Sequence, residues 1–450
     1  MNRDLGLQSA VQKMQNAGAS AAAIGVFSHY YRQLQSGETG LIRESDIEPY
    51  VDVPQLADVE VAAGDQRHAI ARTAIIKLNG GLGTSMGLDR AKTLLPVRDG
   101  LNFLDIIARQ VLSVRREYDV DLPLVFMTSF RTDRDTREYL SRYDLKQSVP
   151  LTFLQNQEPK LRADDLTPVS WPDDPSLEWC PPGHGDIYVA LQSSGILDQL
   201  LDAGFWYACV SNGDNLGAAP SPLLAGWFAR SGAPYAAELC RRTINDRKGG
   251  HLAVRRSDGQ LVLRDAAQTH PDDMRFFLDE NLHPFFNTNT LWFDLRRLRE
   301  LLTERESVLG LPLIRNEKPV DPTRPESTRV IQVETAMGAA IEAFPGSTAI
   351  SVGRDRFLPV KTTNELLLLR SDVYELDDAW LLETNVADVP EVRLTGDYYQ
   401  TVEQMDARIP VAPSLRDASK LVVEGDWKFE PGVRVTGELV LGPEGGTVSP

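Results

Sequence analysis

A glycine-rich segment that follows an apolar, strand-like run offers the clearest chemistry in the sequence. Residues 78–92 read LNGGLGTSMGLDRAK and come directly after the strand-like Thr73–Lys77. Gly80 and Gly81 have no Cβ, so backbone N–H groups there can approach a bulky anion, and Lys92 can add a positive charge. The same glycines also suit a tight structural turn, and their spacing alone does not decide between the two. The segment is neither a P-loop, since GxxxxGK[ST] is absent, nor a GxGxxG dinucleotide fingerprint.

Two further polar residues follow apolar runs. Asp214 stands in SNGDN, just after the apolar Tyr207–Val210, at the expected carboxyl end of a strand. Because N-G-D-N is rich in turn formers, a turn is the favoured interpretation of these residue types alone. Lys361 follows the apolar Phe357–Val360, which makes a purely solvated role less favoured than for an ordinary surface lysine.

The composition limits the classes of partner. The 450 residues include 47 Lys+Arg against 64 Asp+Glu, a net charge of −17, and 42% hydrophobic residues. We therefore expect a globular protein that does not bind nucleic acid through its overall field, and that holds any anionic substrate with a local cluster of cations and amides. No apolar run approaches the ~18 residues of a membrane span, and three widely spaced cysteines match no metal site. These features predict reduced thiols, no membrane partner and a cytoplasmic location.

Alternating strand-like and helix-like segments predict the scaffold. Residues 1–36 read as helical, with an apolar stripe at Ile24, Phe27, Tyr31 and Leu34. The predicted elements that follow are strands at Thr73–Lys77, Thr93–Val97, Leu122–Thr128 and Pro150–Leu154, a helix capped by Asn102, and a helix over Asp133–Tyr143. Repeated β-α-β units predict an α/β fold with a doubly wound, mostly parallel sheet and ligands at the carboxyl ends of its strands.

The C-terminal segment has a different period. Leu421, Trp427, Val433 and Leu439 recur at intervals of six residues, a second apolar register runs in phase with them, and glycines punctuate both. This pattern favours a hexapeptide β-helix over the alternative, a β-meander. Only about one coil and part of a second fit before Pro450, so we expect this segment to depend on packing against its neighbour.

Six blocks of sequence in one order then identify a family resemblance. They are KLNGGLGTSMG with Lys92 behind it, PPGHGDIY (181–188), SNGDNLGA (211–218), FNTNTLW (286–292), ETAMGAAI (334–341) and RFLPVKTT (356–363). Together they resemble the eukaryotic-type UTP–glucose-1-phosphate uridylyltransferase (UDP-glucose pyrophosphorylase) family over nearly the whole chain. The resemblance implies an N-terminal helical segment at 1–50, a nucleotide-diphospho-sugar transferase-like catalytic domain at 51–385 and a short left-handed β-helix at 386–450.

The activity that the resemblance implies is reversible uridylyl transfer. The phosphate of glucose 1-phosphate would attack the α-phosphorus of UTP in line, assisted by Mg²⁺, to give UDP-glucose and pyrophosphate. The expected partners are these two small molecules, with a homo-oligomer left open. Two alternatives are a broader UDP-sugar or UDP-N-acetylhexosamine pyrophosphorylase and an inactive nucleotide-binding scaffold. The joint presence of Lys92, Asp214 and Lys361 argues against the scaffold.

The resemblance also implies roles for particular residues. The catalytic set is Lys92, Asp214 and Lys361, with Asp214 as the metal ligand. The nucleotide-binding set adds Leu78, Asn79, Gly80, Gly81, Gln155, Gly183, Asn212 and Gly213. The amide of Gln155 can both donate and accept, as the O4 and N3–H of uracil require, and Gly183 would contact the same base through its backbone. The sugar-phosphate set is His184, Gly250, Asp265, Asn287 and Asn289.

Some of these assignments retain alternatives. Asn287 and Asn289 would point the same way from a strand, but a polar strand edge has the same spacing. The chain departs from the family pattern at three positions, with Ala91 in place of proline, His251 in place of threonine and Asp265 in place of glutamate. The last two changes fall near the expected sugar pocket, so the resemblance defines the nucleotide more closely than the sugar.

Overall fold

The structure is a computed structural model that describes residues 4–38, 40–243, 246 and 249–450. The helices are α1 (Asp4–Asn16), α2 (Ala21–Ser36), α3 (Ala63–Ile70), α4 (Phe103–Tyr118), α5 (Asp133–Leu140), α6 (Ile187–Ser193), α7 (Ile196–Asp202), α8 (Pro222–Ser231), α9 (Met274–Phe277), α10 (Leu295–Glu304), α11 (Thr363–Arg370) and α12 (Val402–Arg408). The strands of the N-terminal half are β1 (Ile47–Pro49), β2 (Thr73–Asn79), β3 (Pro96–Arg98), β4 (Leu101–Asn102), β5 (Leu124–Thr128), β6 (Thr152–Leu154), β7 (Glu158–Pro159), β8 (Leu161–Arg162), β9 (Trp179–Cys180) and β10 (Tyr207–Asn212). The later strands are β11 (Tyr235–Arg241), β12 (His251–Arg255), β13 (Leu261–Arg264), β14 (Phe285–Asp294), β15 (Ile314–Pro319), β16 (Arg329–Glu334), β17 (Thr348–Ser351), β18 (Tyr374–Leu376), β19 (Leu382–Thr384), β20 (Glu391–Leu394), β21 (Ser414–Val423), β22 (Trp427–Phe429), β23 (Arg434–Leu441) and β24 (Gly446–Val448).

A seven-stranded sheet lies at the centre of the fold, with strand order β17-β11-β14-β10-β2-β5-β6. It is mostly parallel, although β14 runs antiparallel to both β10 and β11. Every residue of β5 and nearly every residue of β2 is buried. Continuous burial of this kind is typical of strands covered on both faces, so the predicted α/β class with a mostly parallel sheet is confirmed.

Local sequence signals account for the helix boundaries. The N-terminal helical prediction is divided in two at Gly18, whose φ of +76° ends α1, and Ser20 caps α2 by accepting from the N–H of Ala23. The predicted Asn102 cap is confirmed, and it forms a reciprocal capping box with Asp105 at the start of α4.

The prediction of a strand over Thr93–Val97 is wrong. Residues Lys92–Leu94 form a turn of 3₁₀ helix, and the strand β3 begins only at Pro96. The strand pairs with β4 across Asp99 and Gly100, both of which have positive φ. An Asp-Gly pair is a strong signal for a tight hairpin, and it fixes which residues can pair.

The chain divides into two compact units, each built from separated segments. The first unit comprises Met1–Ile76, Ser148–Val210 and Pro222–Val352. The second unit comprises Lys77–Gln147, Ser211–Ser221 and Gly353–Pro450. Within the first unit, Tyr235 stacks on Phe293 and Phe344 in an aromatic core. The division into 1–50, 51–385 and 386–450 stays a prediction.

The C-terminal strands pair in parallel. β21 pairs in parallel with β20 and β23, and β22 pairs in parallel with β24. Neighbouring strands of a β-meander would be antiparallel, so the described pairs do not form one. Within the second unit this segment contacts a residue that precedes it, because Asp372 accepts from Ser414 Oγ at 2.7 Å and from the N–H of Leu415 at 2.8 Å. Its dependence on that packing stays a prediction.

The three cysteines are buried thiols and none of them forms a disulfide. The Sγ of Cys180 lies 3.7 Å from Glu158 O. Within the described part of the chain, no helix combines the length and the apolar character needed to cross a bilayer.

Candidate functional site

In the second unit, the glycine-rich segment folds back so that Lys92 lies next to its first residues. β2 extends through Asn79, so Leu78 and Asn79 belong to the strand and the loop begins at Gly80. The N–H of Lys92 donates to Gly81 O at 3.2 Å, which brings the lysine back to the start of the loop. Ala91, where the family usually has proline, has φ −53°. This value lies within the range of proline, so the backbone at Ala91 has a conformation that proline could also adopt.

Asn79 holds the start of the loop in place through hydrogen bonds to three threonines. Its side chain is buried, its Oδ1 accepts from Thr93 Oγ1 at 2.8 Å and its Nδ2 donates to Thr136 Oγ1 at 2.9 Å. Its carbonyl oxygen accepts from Thr132 Oγ1 at 2.7 Å. Since both ends of the side chain bond to protein groups, we assign Asn79 to holding the loop in place instead of contacting a nucleotide through its amide.

Two of the three predicted catalytic residues are in direct contact, and the third adjoins them. Lys92 Nζ donates to Asp214 Oδ2 at 2.5 Å and also to the carbonyl oxygen of Val360. The Lys92 and Asp214 side chains are only 17% and 18% exposed. Lys361, the next residue after Val360, is exposed, and its N–H donates to Glu365. The second unit therefore brings together one carboxylate and two ammonium-bearing residues from distant parts of the chain.

A tight turn positions Asp214. β10 ends at the partly exposed Asn212, and the N–H of Gly213 donates to Leu78 O at 2.9 Å. A Cβ on Gly213 would lie 2.8 Å from that same oxygen, so only glycine fits there. The contact fixes Asp214 beside the end of β2, where the glycine loop starts.

Two residues that the sequence-based prediction missed hold this turn. Lys77 is fully buried, and its Nζ donates to Ser211 Oγ and to Ala218 O, both at 2.7 Å. Asn215 is also buried and bonds through both ends of its amide to backbone groups of residues 356–358. The only sequence signal for Lys77 is a charged residue inside an otherwise apolar strand. No signal in the sequence marks Asn215 as more than a turn former.

The residues predicted to read the base lie in the first unit. Gly183 has φ +79°, and a Cβ there would lie 2.5 Å from Thr335 O. The N–H of Gly185 donates to Thr335 O at 2.8 Å, and the N–H of Thr335 donates to Pro182 O at 2.9 Å. Thr335 thus holds the loop on both sides of Gly183. Gln155 follows β6 and is partly exposed.

His184 is a neutral imidazole of defined tautomer. Its Nδ1 accepts from the N–H of Met337 at 3.0 Å, so the proton lies on Nε2. Burial lowers the pKa of His184 to about 4. At neutral pH the side chain therefore offers one N–H donor and carries no charge.

The remaining sugar-phosphate residues form one contiguous group in the first unit. The N–H of Asn287 donates to Gly250 O at 2.8 Å, and its Nδ2 donates to Asn289 Oδ1 at 3.3 Å. A Cβ on Gly250 would lie 1.9 Å from Asp265 Oδ1, and one on Gly338 would lie 2.7 Å from Asn287 Nδ2. Burial raises the pKa of Asp265. The group therefore depends on two glycines that leave room for carboxylate and amide side chains.

The strand predicted at Asn287 and Asn289 is confirmed as part of β14, but it is irregular there. Asn289 has φ +62°, and the pairing of β11 with β14 shifts register between Ala237 and Leu239. Asparagine tolerates this left-handed conformation because its short polar side chain bonds locally. The two amides are in contact within this irregular part of the strand.

His251, which replaces threonine in the family pattern, turns into the interior. It is 0% exposed, stacks on His283 with ring centroids 3.8 Å apart, and accepts at Nε2 from Arg264 Nε at 3.2 Å. Burial, with added effects from His283 and Arg264, lowers the pKa of His251. Arg264 in turn pairs with Glu44 at 2.6 Å. The substitution therefore lies in a buried polar cluster and not on an open surface near the sugar residues.

The predicted site residues thus form two groups, one in each unit. The second unit holds Leu78, Asn79, Gly80, Gly81, Lys92, Asn212, Gly213, Asp214 and Lys361. The first unit holds Gln155, Gly183, His184, Gly250, Asp265, Asn287 and Asn289. Within each group, hydrogen bonds or close packing join residues far apart in sequence.

Comparisons with known proteins identify the family of the chain. A family model described as UTP–glucose-1-phosphate uridylyltransferase matches residues 24–436. A relative of that name from Saccharomyces cerevisiae is 37% identical over 375 residues, 83% of this chain and 74% of the relative. Another from Hordeum vulgare is 35% identical over 451 residues, 98% of this chain and 93% of the relative.

Solved structures extend the similarity to three dimensions. A mutant UDP-glucose pyrophosphorylase from Leishmania major in complex with UDP-glucose is 38% identical, with a TM-score of 0.89 and 99% of each chain covered. The Trypanosoma brucei structure described as UDP-glucose phosphorylase is 37% identical, with a TM-score of 0.88 and the same coverage. Because sequence and structure agree over nearly the full length, the chain belongs to the UTP–glucose-1-phosphate uridylyltransferase family.

Proposed function

We propose that the chain transfers a uridylyl group from UTP to glucose 1-phosphate, forming UDP-glucose and pyrophosphate reversibly, with Lys92, Asp214 and Lys361 as its catalytic residues. The observation that carries the residue assignment is the 2.5 Å contact between Lys92 and Asp214 beside the Val360–Lys361 segment. Relatives over most of the chain bear the name of this activity, and one related structure holds UDP-glucose.

The reaction requires positioning and charge neutralisation more than proton transfer. A phosphate oxygen of glucose 1-phosphate forms a bond to the α-phosphorus of UTP, and the bond to pyrophosphate breaks on the opposite side. That oxygen is already anionic at neutral pH, so no general base is needed. Lys92 and Lys361 supply positive charge to the phosphates, and the backbone of the glycine segment supplies N–H donors.

The chemistry of Asp214 suits a magnesium ion. Among the residues that the structure describes, no group of three or more His, Cys, Asp or Glu side chains is arranged around a common ion position. Magnesium in nucleotide enzymes is usually held by one or two carboxylates together with substrate phosphates, so Asp214 with UTP forms an adequate donor set. When bound there, Mg²⁺ would supply positive charge to the phosphate oxygens.

Recognition of the base and of the sugar phosphate falls to residues of the first unit. Gln155 pairs with the uracil edge and the backbone at Gly183 contacts the same base. His184 Nε2–H donates to the sugar phosphate as a neutral group, since Nδ1 is occupied by Met337. Asp265, Asn287 and Asn289 bond to sugar hydroxyls. These roles follow the family resemblance together with the contiguity of the residues.

Two features of the protein as a whole belong to the same proposal. The parallel pairing of β20–β24 supports a short left-handed β-helix at the C-terminus. Three buried cysteines without a disulfide support a reducing, cytoplasmic environment.

The test is pyrophosphate release with Mg²⁺ over a panel of nucleoside triphosphates and sugar 1-phosphates. We expect UTP with glucose 1-phosphate to give the highest kcat/KM, and N-acetylglucosamine 1-phosphate to be a poor substrate. Lys92→Met should lower turnover strongly. The matched control is Asp89→Asn, in the same segment, with a side chain that is 98% exposed. A higher kcat/KM with N-acetylglucosamine 1-phosphate would contradict the proposed sugar, and release by none of the pairs would contradict the activity.

A further inference from the structure

A buried carboxylate joins the two segments assigned to the uracil. Asp186 is 6% exposed, and it accepts from the backbone N–H of Asn156 at 2.6 Å and from Asn156 Nδ2 at 2.8 Å. Asn156 is the residue after Gln155, and Asp186 lies three residues after Gly183. One side chain therefore links the segment of Gln155 to the loop of Gly183 within the first unit.

The geometry of this link bears on Gln155 directly. The N–H of Asn156 belongs to the peptide group formed with the carbonyl of Gln155, so a bond to it restricts rotation about the last backbone bond of Gln155. The second bond goes to the other carboxylate oxygen, which adds a restraint on the direction of the segment. Two charge-assisted bonds thus restrain the backbone from which the Gln155 side chain extends.

The surroundings of Asp186 are unfavourable for a charged carboxylate, so a role in stability alone would not explain its presence there. Glu158 lies close by, fully buried, with an Oε1 that has no hydrogen-bond partner among the described residues. Both acids line a small cavity of about 20 Å³ together with Thr335 and Pro182, two residues that hold the Gly183 loop. Burial of charged groups costs free energy, and a hydrophobic replacement often gives equal stability.

We propose that Asp186 is a positioning residue for uracil recognition, which acts through Asn156 on Gln155 and keeps Gln155 and Gly183 in a fixed mutual arrangement. This inference rests on the proposed role of Gln155 as the residue that reads the base. Asp186 itself does not contact the nucleotide in this scheme. Its contribution is to discrimination between bases instead of to the chemical step.

The first experiment measures the ratio of kcat/KM for UTP to that for CTP. Asp186→Asn keeps the shape of the side chain but replaces one acceptor with an NH₂ group that opposes the donors of Asn156. We expect the ratio to fall by about tenfold or more, while the KM for glucose 1-phosphate changes less than threefold. The matched control is Asp202→Asn, an exposed carboxylate at the end of α7 in the same unit, which should leave the ratio unchanged.

A double-mutant cycle separates this inference from the base assignment itself. In the Gln155→Ala background, Asp186→Asn should have little further effect on the ratio, because the residue through which it acts is gone. If Gln155→Ala leaves the UTP/CTP ratio unchanged, the base assignment fails. If Gln155→Ala lowers the ratio and Asp186→Asn does not, or if the two effects simply add, the positioning role of Asp186 is refuted. Should Asp186→Asn fail to fold, Asn156→Ala removes the 2.8 Å bond to Asp186, together with the 3.4 Å bond that Asn156 Oδ1 accepts from Ser193 Oγ, and should lower the ratio in the same way.

The pH dependence of the UTP/CTP ratio distinguishes the positioning role of Asp186 from a purely structural one. Burial, partly offset by the two bonds from Asn156, raises the pKa of Asp186 to about 6. The ionisable groups on the elements packed around it are Glu158, Glu334, Tyr30, Tyr188 and His184. Of these, His184 titrates at about 4, and burial raises the pKa values of Glu158 and of both tyrosines. The UTP/CTP ratio of the wild type should therefore decline as the pH falls from 7.5 to 5.5, and that of Asp186→Asn should stay flat. A parallel decline in both would overturn the proposal.

Discussion

Replacement of Asp214 by asparagine distinguishes between two roles for this residue, a catalytic carboxylate and a turn former. The Lys92–Asp214 pair is 2.5 Å long and its side chains are less than a fifth exposed, so it is stronger than a solvated surface pair. Asparagine keeps one oxygen that can accept from Lys92, while the charge and the second acceptor oxygen are lost. We therefore expect the free energy of unfolding to fall by about 1–2 kcal/mol, the difference between a charge-assisted and a neutral hydrogen bond.

The effect on turnover should be larger. Loss of a carboxylate that organises a cation on the phosphates removes charge stabilisation worth several kcal/mol in the transition state. At about 1.4 kcal/mol per tenfold, a thousandfold drop in kcat corresponds to about 4 kcal/mol. The KM for glucose 1-phosphate should change less than fivefold, because the residues proposed for the sugar phosphate lie in the first unit and remain intact.

The assay is steady-state pyrophosphate release over a titration of Mg²⁺, with urea unfolding measured on the same samples. Lys92→Met alone should also lower kcat. The double variant should lose less than the sum of the two single losses, since both groups act on one transition state. If Asp214→Asn retains kcat within tenfold of the wild type at limiting Mg²⁺, the carboxylate is only a turn residue and the reasoning fails.

Three further predictions follow from particular contacts. Gly250→Ala places a Cβ 1.9 Å from Asp265 Oδ1. In pyrophosphate-release assays the KM for glucose 1-phosphate should therefore rise about tenfold, while the KM for UTP stays unchanged. The control is Gly64→Ala, whose added Cβ would have no atom within 4 Å. The pKa of His184 is about 4 in the folded chain, against 6.5 in its ordinary state. At a pH between these two values, the unfolded chain therefore binds a proton that the folded chain does not. Lowering the pH from 7 to 5 should therefore reduce stability, and His184→Asn should lose about 1–2 kcal/mol less than the wild type over that range in urea titrations; an equal loss would contradict the assignment. Deleting Leu415–Pro450 removes strands that pack within the second unit and should lower the thermal midpoint, whereas an unchanged midpoint would make the segment a passive appendage.

The proposed catalytic residues could be identified from the sequence, but the buried residues that hold the site segments in place could not. Lys92 and Asp214 were identified because their motifs match the family, and the structure places them in contact although 122 residues separate them. Lys77 and Asp186 were missed because a single charged residue in an apolar strand, or one acid in a known motif, has no spacing that reveals a buried partner. Such partners depend on long-range packing, which no local pattern contains.

Local backbone conformation accounts for the other differences. The Asp99-Gly100 pair was a readable hairpin signal, and it would have limited the predicted strand to Pro96–Arg98. By contrast, the left-handed conformation of Asn289 follows from a register shift between two paired strands, which alternation within one strand cannot predict. His251 was expected only to lie near the sugar pocket, and its burial and its stacking on His283 could not be predicted from its motif.

The segmented construction of the second unit has a consequence for biosynthesis. Its segments begin at residues 77, 211 and 353, and Asn215 joins the second to the third through bonds that span 141 and 143 residues. During translation, the partners of Asn215 and the carbonyl that accepts from Lys92 emerge only after more than three-quarters of the chain has been made. High contact order of this kind slows folding, and the intermediate keeps polar groups unsatisfied until the last segment arrives. A chain that ends before residue 353 lacks Val360 and Lys361, so we expect it not to form the proposed phosphate-binding cluster with Lys92 and Asp214.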